Sequence, residues 1–381
     1  MVNLNKIDYT NRWQDELNNS ISNILELKGY LSKKSISNNL LHYLDTSSIG
    51  RDIDKVTQKY PMRITPYYLD LVKAAEDPIW RQAMPDPLEL SYEYASSKSN
   101  YDNINLSSDP LHEERQSPTP SIIHRYPDRV IFLVSNQCAM YCRYCMRKRK
   151  VGGSIDNQKC HINIKQGLNY IKENRAIRDV ILSGGDPLLL STESLDKILF
   201  ALRQIEHVET IRIHTRVICT LPYRITDNLA STLEKYHPLY INTHFNHPSE
   251  ITDKAAAAAD KLARAGIPLG CQTVLLKGVN DNPETMIDLM RGLIKIRIKP
   301  YYLHHPDPVI STAHFRPSLE IGLDIMRAMR GNLTGIAVPQ YMVDLPEGYG
   351  KLPILPDYIK KRDADSIVVE NYQGKICKYW F

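Results

Sequence analysis

Between residues 129 and 330 the sequence alternates in a way that leaves few folds open. Six strand-like runs, Arg129–Val134, Arg178–Ser183, Val208–Arg216, Leu239–Phe245, Ile267–Leu276 and Ile296–Leu303, are separated by helix-like segments at 164–175, 193–206, 226–236, 251–265 and 283–294, and a further segment at 318–330 follows the last run. Short apolar runs fit buried strands, and the segments between them carry helical periodicity. Strand-then-helix repetition places the strands parallel and joins them by crossover helices, so six such units predict an α/β fold, a partial (β/α)6 barrel of the TIM type. Barrels of this kind keep their chemistry at the C-terminal ends of the strands. Here those ends carry Cys138 to Cys145, Ser183-Gly-Gly-Asp186, His214-Thr-Arg216, Thr243 to His247, Gln272 and His304-His-Pro-Asp307. Six strands that direct polar groups the same way predict one active-site face.

The rest of the 381 residues is read around that barrel. Residues 1–120 form a helical and loop-rich lead-in, with Ile21 to Lys28 apolar at helical spacing and loop signals at Asp86-Pro-Leu, Ser96 to Asn100 and Ser107 to Pro110. Ser117-Pro-Thr-Pro120 marks the joint to a barrel domain over 121–335, and 336–381 is a short C-terminal segment. Ala255 to Ala259 is an alanine run inside one barrel helix. A net charge of +5 is mild for this length and argues against nucleic acid as a partner. No stretch is apolar enough to span a bilayer, and Met1 to Asp8 lacks the apolar core of a signal peptide. A cytoplasmic protein is expected. Of seven cysteines, Cys160, Cys219, Cys271 and Cys377 stand singly, which is no disulfide framework and suits a reducing compartment.

The other three, Cys138, Cys142 and Cys145, are spaced Cys-x3-Cys-x2-Cys directly after the first barrel strand. Three thiolates this close cannot complete a tetrahedral zinc site alone, but they suit a [4Fe–4S] cluster with one iron left open. An incomplete zinc site and three unrelated buried cysteines are the other readings. The loop Cys138-Ala-Met-Tyr-Cys-Arg-Tyr-Cys-Met-Arg-Lys-Arg149 resembles that of radical S-adenosylmethionine (SAM) enzymes, whose cluster binds SAM at the open iron, and in its extended form that of the lysine 2,3-aminomutase family.

That resemblance spans roughly residues 60 to 375 and assigns roles. It implies that Gly184, Gly185 and Asp186 hold the methionine part of SAM, and that His244 and Gln272 contact it as well. Glycines there let a backbone approach a ligand closely. In Arg125-Tyr-Pro-Asp-Arg129 it implies a cradle for the phosphate of pyridoxal 5′-phosphate (PLP), built from Arg125, Tyr126, Arg129 and Arg216, because planar guanidinium donors match that anion. Met342 to Pro353 resembles the family's Pro-x-Gly-x-Gly-Lys segment, whose lysine carries PLP as a Schiff base; Lys351 is the counterpart, although Glu347 and Tyr349 depart from the glycine-rich family form.

For a lysine substrate, Arg147 matches the arginine that takes the carboxylate, and Asp307 and Asp344 match the two aspartates that take the ε-ammonium. The activity implied is lysine 2,3-aminomutase, a radical 1,2-amino shift giving β-lysine, with an electron donor such as flavodoxin or ferredoxin. Alternatives are an aminomutase serving elongation factor P modification, an arginine 2,3-aminomutase and an iron–sulfur protein without a substrate. The long family members carry a cysteine cluster for a structural zinc between subunits. This chain has Asn282 after Gly278-Val-Asn-Asp281 and only Cys377 near its end. No such zinc is expected, and a homodimer is left open.

Overall fold

The computed structural model describes residues 12–34, 38–91, 106–153 and 162–381; the stretch 1–8, the loop signal at 96–100 and Cys160 lie outside them. Twelve strands are present among the described residues: β1 Ile122–Tyr126, β2 Arg129–Ser135, β3 Asp179–Gly184, β4 Thr210–His214, β5 Leu239–Thr243, β6 Leu269–Val274, β7 Lys299–His304, β8 Gln340–Asp344, β9 Lys351–Pro353, β10 Ile359–Arg362, β11 Ser366–Glu370 and β12 Ile376–Trp380. The first nine form one sheet in chain order, and β10 to β12 form a separate antiparallel sheet. From β2 to β8 each strand pairs in parallel with the next.

All six expected strands are there, and the sheet extends beyond them. β8 is a seventh parallel strand, whereas β1 and β9 pair antiparallel at the two edges. Arg125 and Tyr126, which precede the first expected strand, end an additional strand β1, and Pro127-Asp128 turns the hairpin into β2. Several expected strands were also drawn too long. Val208, Ile267 and Ile298 flank the ladders, bury their side chains and so look like strand in sequence without pairing.

The lead-in supplies helices α1 Arg12–Asn18, α2 Ile24–Leu31, α3 Asn38–Thr46, α4 Ser48–Lys59, α5 Pro66–Leu69 and α6 Pro78–Ala83. The barrel layer follows as α7 Ile164–Glu173, α8 Thr192–Arg203, the one-turn α9 Val217–Thr220, α10 Asp227–Glu234, α11 Asp253–Arg264, α12 Pro283–Lys295 and α13 Leu319–Met329. Their starts are written locally: Asn163, Ser191, Thr226, Thr252 and Asn282 each accept a backbone N–H from the first turn of the helix that follows. The alanine run lies in α11, where small Ala255, Ala258 and Ala259 are buried. One continuous apolar core joins Ile21 and Leu27 of the lead-in to Phe132, Leu182, Ile213 and Ile241 of the strands and to Tyr341 of β8.

A buried ion cluster fastens the cysteine loop to that lead-in. Pro87–Glu89 forms a capped turn in which Asp86 and Glu89 cap reciprocally. Glu89, fully buried, accepts from Arg143 Nη2 at 2.5 Å and Nε at 2.8 Å and from Lys148 Nζ at 2.7 Å. Burial pushes the Glu89 carboxyl up, but Arg143 and Lys148 outweigh it and hold it down at about 2. A folded value below the ordinary 4.5 means a stabilising contribution present above 4.5 and lost as pH falls toward 2. Glu89→Gln leaves two cations buried without their partner, so it is expected to cost about 3–5 kcal/mol. Anaerobic denaturant unfolding measures this, and a loss under about 1 kcal/mol would show that the pair is dispensable.

Candidate active site

The sheet lines a cavity of about 1020 Å³ that runs along the parallel strands, from their first residues Arg129, Asp179 and Thr210 to the groups at their C-terminal ends. Every site residue singled out from the sequence lines it, and the cavity runs from the cysteine loop to the β8–β9 hairpin.

At the first end, Cys138, Cys142 and Cys145 are free and face the cavity. The lead-in holds their loop through backbone bonds from Tyr141 N to Arg63 O and from Arg143 N to Gln82 O, both 3.0 Å. Burial raises the Cys138 thiol well above its ordinary range and pushes Cys145 up to about 11. Thiols in that state become thiolates only where a cation or metal compensates them. Among the described residues no three His, Cys, Asp or Glu side chains meet closely enough to hold a single metal ion. Three thiols on one loop that line one cavity are a donor set that fits a multi-iron cluster, in which each thiolate binds a different iron.

The Gly184-Gly185 pair, expected to contact SAM, has a further structural duty. Gly184 has φ +121°, and a Cβ on it would lie 2.2 Å from Ser135 O; one on Gly185 would lie 2.4 Å from Gln137 O. Both glycines thus let the end of β3 pass against the cysteine loop. Asp186 spends its carboxylate inside the protein, accepting from Leu188 N at 3.0 Å, the Thr215 hydroxyl at 2.7 Å and Arg216 N at 2.7 Å. His244 approaches Asn246 Oδ1 at 3.1 Å and the Tyr144 hydroxyl at 3.4 Å, and burial holds its pKa well below the ordinary range. Gln272 lies on β6 and lines the same cavity.

Arg216 corrects the sequence reading. It was expected in the phosphate cradle, but it is buried at the cysteine end, where Nη1 donates to Cys142 Sγ at 2.9 Å and Nη2 to Glu250 at 2.7 Å. A guanidinium committed to these partners does not serve a phosphate held by Arg125.

At the second end, β8 and β9 place Asp344 directly opposite Lys351, and the two side chains form an ion pair. The Lys351 backbone N–H donates to the Tyr126 hydroxyl at 3.0 Å. Arg125 donates to Asp344 at 3.3 Å and to Gln116 at 2.9 Å, and the Arg129 guanidinium lies over the Tyr126 ring at 3.9 Å. Arg125, Tyr126, Arg129 and Lys351 therefore do come together. The hairpin tip keeps its shape despite its departures from the glycine-rich form: Glu347 adopts φ +59°, at a cost of roughly 1–2 kcal/mol, while Gly348 closes against Leu111 O.

Asp307 is half-buried and lines the cavity, and desolvation together with nearby Asp344 raises its pKa to about 7, with Lys351 acting against the shift. Arg147 presents Nε and Nη2 to Glu113 at 3.0 and 2.7 Å, leaving Nη1 outside this fork. Glu113 was missed by sequence reasoning, as were Arg212, paired with Asp179 at 2.6 Å, and the stacked Tyr301–Tyr302 pair, while His304, one of the expected strand-end groups, lies 3.9 Å from Asp344. Each line the cavity. Glu113 reads locally as one more acid in a loop, because its partner lies 34 residues away.

Comparison with known proteins agrees with this geometry. Residues 132–290 match the model of the radical SAM superfamily and 326–380 that described as lysine-2,3-aminomutase. The chain is 45% identical over 376 residues to an L-lysine 2,3-aminomutase of Methanococcus maripaludis, covering 98% of this chain and 82% of the relative. It is 40% identical to the L-lysine 2,3-aminomutase of Clostridium subterminale, with 97% and 84% coverage. It is also 43% identical to a glutamate 2,3-aminomutase of Clostridioides difficile, with 86% and 75% coverage.

Proposed function

Because this chain belongs to the lysine 2,3-aminomutase family of radical SAM enzymes, we propose that it is an isomerase that moves the α-amino group of L-lysine to Cβ, yielding β-lysine. The observation that carries the substrate choice is the pair Asp307 and Asp344, which line the cavity that also holds the cysteine loop and Lys351. Two carboxylates withdrawn from bulk water favour an ammonium and repel the side chain of glutamate.

Cys138, Cys142 and Cys145 would hold the [4Fe–4S] cluster, with SAM at its open iron, and Lys351 would hold PLP, whose phosphate meets Arg125, Tyr126 and Arg129. When bound, the cluster and SAM supply a carbon radical that removes hydrogen from Cβ, and PLP stabilises the unpaired electron during the nitrogen shift. The chain's own residues do the positioning. Arg147 takes the substrate carboxylate with the edge that Glu113 leaves open. Asp344 pairs with Lys351 in the cofactor-free chain and, together with Asp307, would take the substrate's ammonium. Held at both ends, the substrate presents Cβ to the cysteine side of the cavity in one pose. Electrons come from a small carrier such as flavodoxin or ferredoxin, and a homodimer is compatible with this reading.

Anaerobic incubation of the reconstituted, reduced protein with SAM, PLP and lysine should give β-lysine, with arginine and glutamate turned over at least tenfold less efficiently. Faster turnover of glutamate would sink the assignment of Asp307 and Asp344.

A further inference from the structure

We infer that Arg216 stabilises the reduced state of the iron–sulfur cluster by donating a charged hydrogen bond to the sulfur of Cys142. The inference rests on the reading of Cys138, Cys142 and Cys145 as cluster ligands.

The geometry is that of a built donor. Arg216 caps the one-turn helix α9 just after β4, and its side chain is 8% exposed. Three acceptors from three segments gather at Nη2: Glu250 Oε1 at 2.7 Å from the turn after β5, Gln82 Oε1 at 2.6 Å from α6, and the Tyr68 hydroxyl at 3.2 Å from α5. Glu250 is in turn fixed by the Tyr68 hydroxyl at 2.6 Å and by Asn246 N at 2.6 Å. The guanidinium is thereby clamped at one corner, and its plane is fixed. Nη1 is left with Cys142 Sγ at 2.9 Å, and Nε is buried without a partner. The lead-in helices thus complete the electrostatics of a loop that lies far along the chain from them.

Reduction adds one negative charge to the cluster. A cation that donates to a ligand sulfur stabilises that charge, because hydrogen bonds and net charge set cluster potentials and a protein site of low local dielectric screens them weakly. Removing the donor should make reduction harder. Glu250, the buried anion behind Arg216, works in the opposite sense but sits on the far corner of the guanidinium, so the nearer charge dominates.

The test is an anaerobic redox titration of reconstituted wild type, Arg216→Met and Arg216→Lys, read as the paramagnetic signal of the reduced cluster beside iron and sulfide content. At a fixed poise near the wild-type midpoint, Arg216→Met should show a reduced-to-oxidised ratio lower by about tenfold, equal to about 59 mV for one electron. Arg216→Lys should move the same way by less, since its single ammonium serves Glu250 first; it carries the test if Arg216→Met does not fold. Ratios equal to wild type in folded, iron-replete variants would overturn the inference while leaving the cluster reading intact. Failure of wild type to take up iron would overturn both.

Discussion

Lys351→Ala should form β-lysine roughly 10⁴-fold more slowly than wild type or worse, the scale at which loss of one member of a catalytic unit disables an enzyme. The iron content should not change, because Lys351 bonds to Asp344 and Tyr126 and to no residue of the cysteine loop. Lys351 starts β9 and reaches inward to Asp344, while its backbone is pinned by Tyr126. This register places the amine beside Asp344, which also accepts from Arg125 of the cradle. Borohydride treatment of PLP-loaded wild type should fix the cofactor to the peptide carrying Lys351, and dialysis should strip PLP from the variant. A label on another lysine would remove Lys351 from the mechanism.

The second large effect is on pH dependence. With its pKa near 7 in the cofactor-free chain, Asp307 is protonated in acid and cannot pair with an ammonium. Binding an ammonium needs the carboxylate, so the proton must leave first. Below pH 7 kcat/KM for lysine should therefore fall about tenfold per unit and should level off at higher pH. Asp307→Asn should abolish that limb and lower kcat/KM at neutral pH by roughly 10²-fold or more, since truncating one partner of a buried charge pair costs about 3–5 kcal/mol. A limb that persists unchanged in Asp307→Asn would belong to another group.

Much of this architecture is legible in sequence. Strand and helix positions, the capping residues Ser191, Thr226 and Thr252, and the gathering of polar groups at strand ends are all local signals. The cysteine spacing is local too, since eight consecutive residues carry it. These features follow from apolar periodicity and short-range hydrogen bonding, which act over a turn or two of chain.

Side-chain partners across the fold are a different matter. Nothing around Arg216 says that α5, α6 and the turn after β5 will turn its guanidinium toward Cys142, and nothing around Arg147 says that Glu113 will occupy one edge of it. The pairing of Glu89 with Arg143 and Lys148 bridges more than fifty residues. An arginine reads the same in sequence whether it meets a phosphate, a carboxylate or a thiolate. The sequence by itself determined that this chain is a partial barrel with a cysteine loop at its strand ends and a lysine-bearing segment after it; the hairpin that turns that lysine inward, and which charge each cation there meets, were decided only by tertiary packing, because buried charges take the partners that the folded core brings within reach.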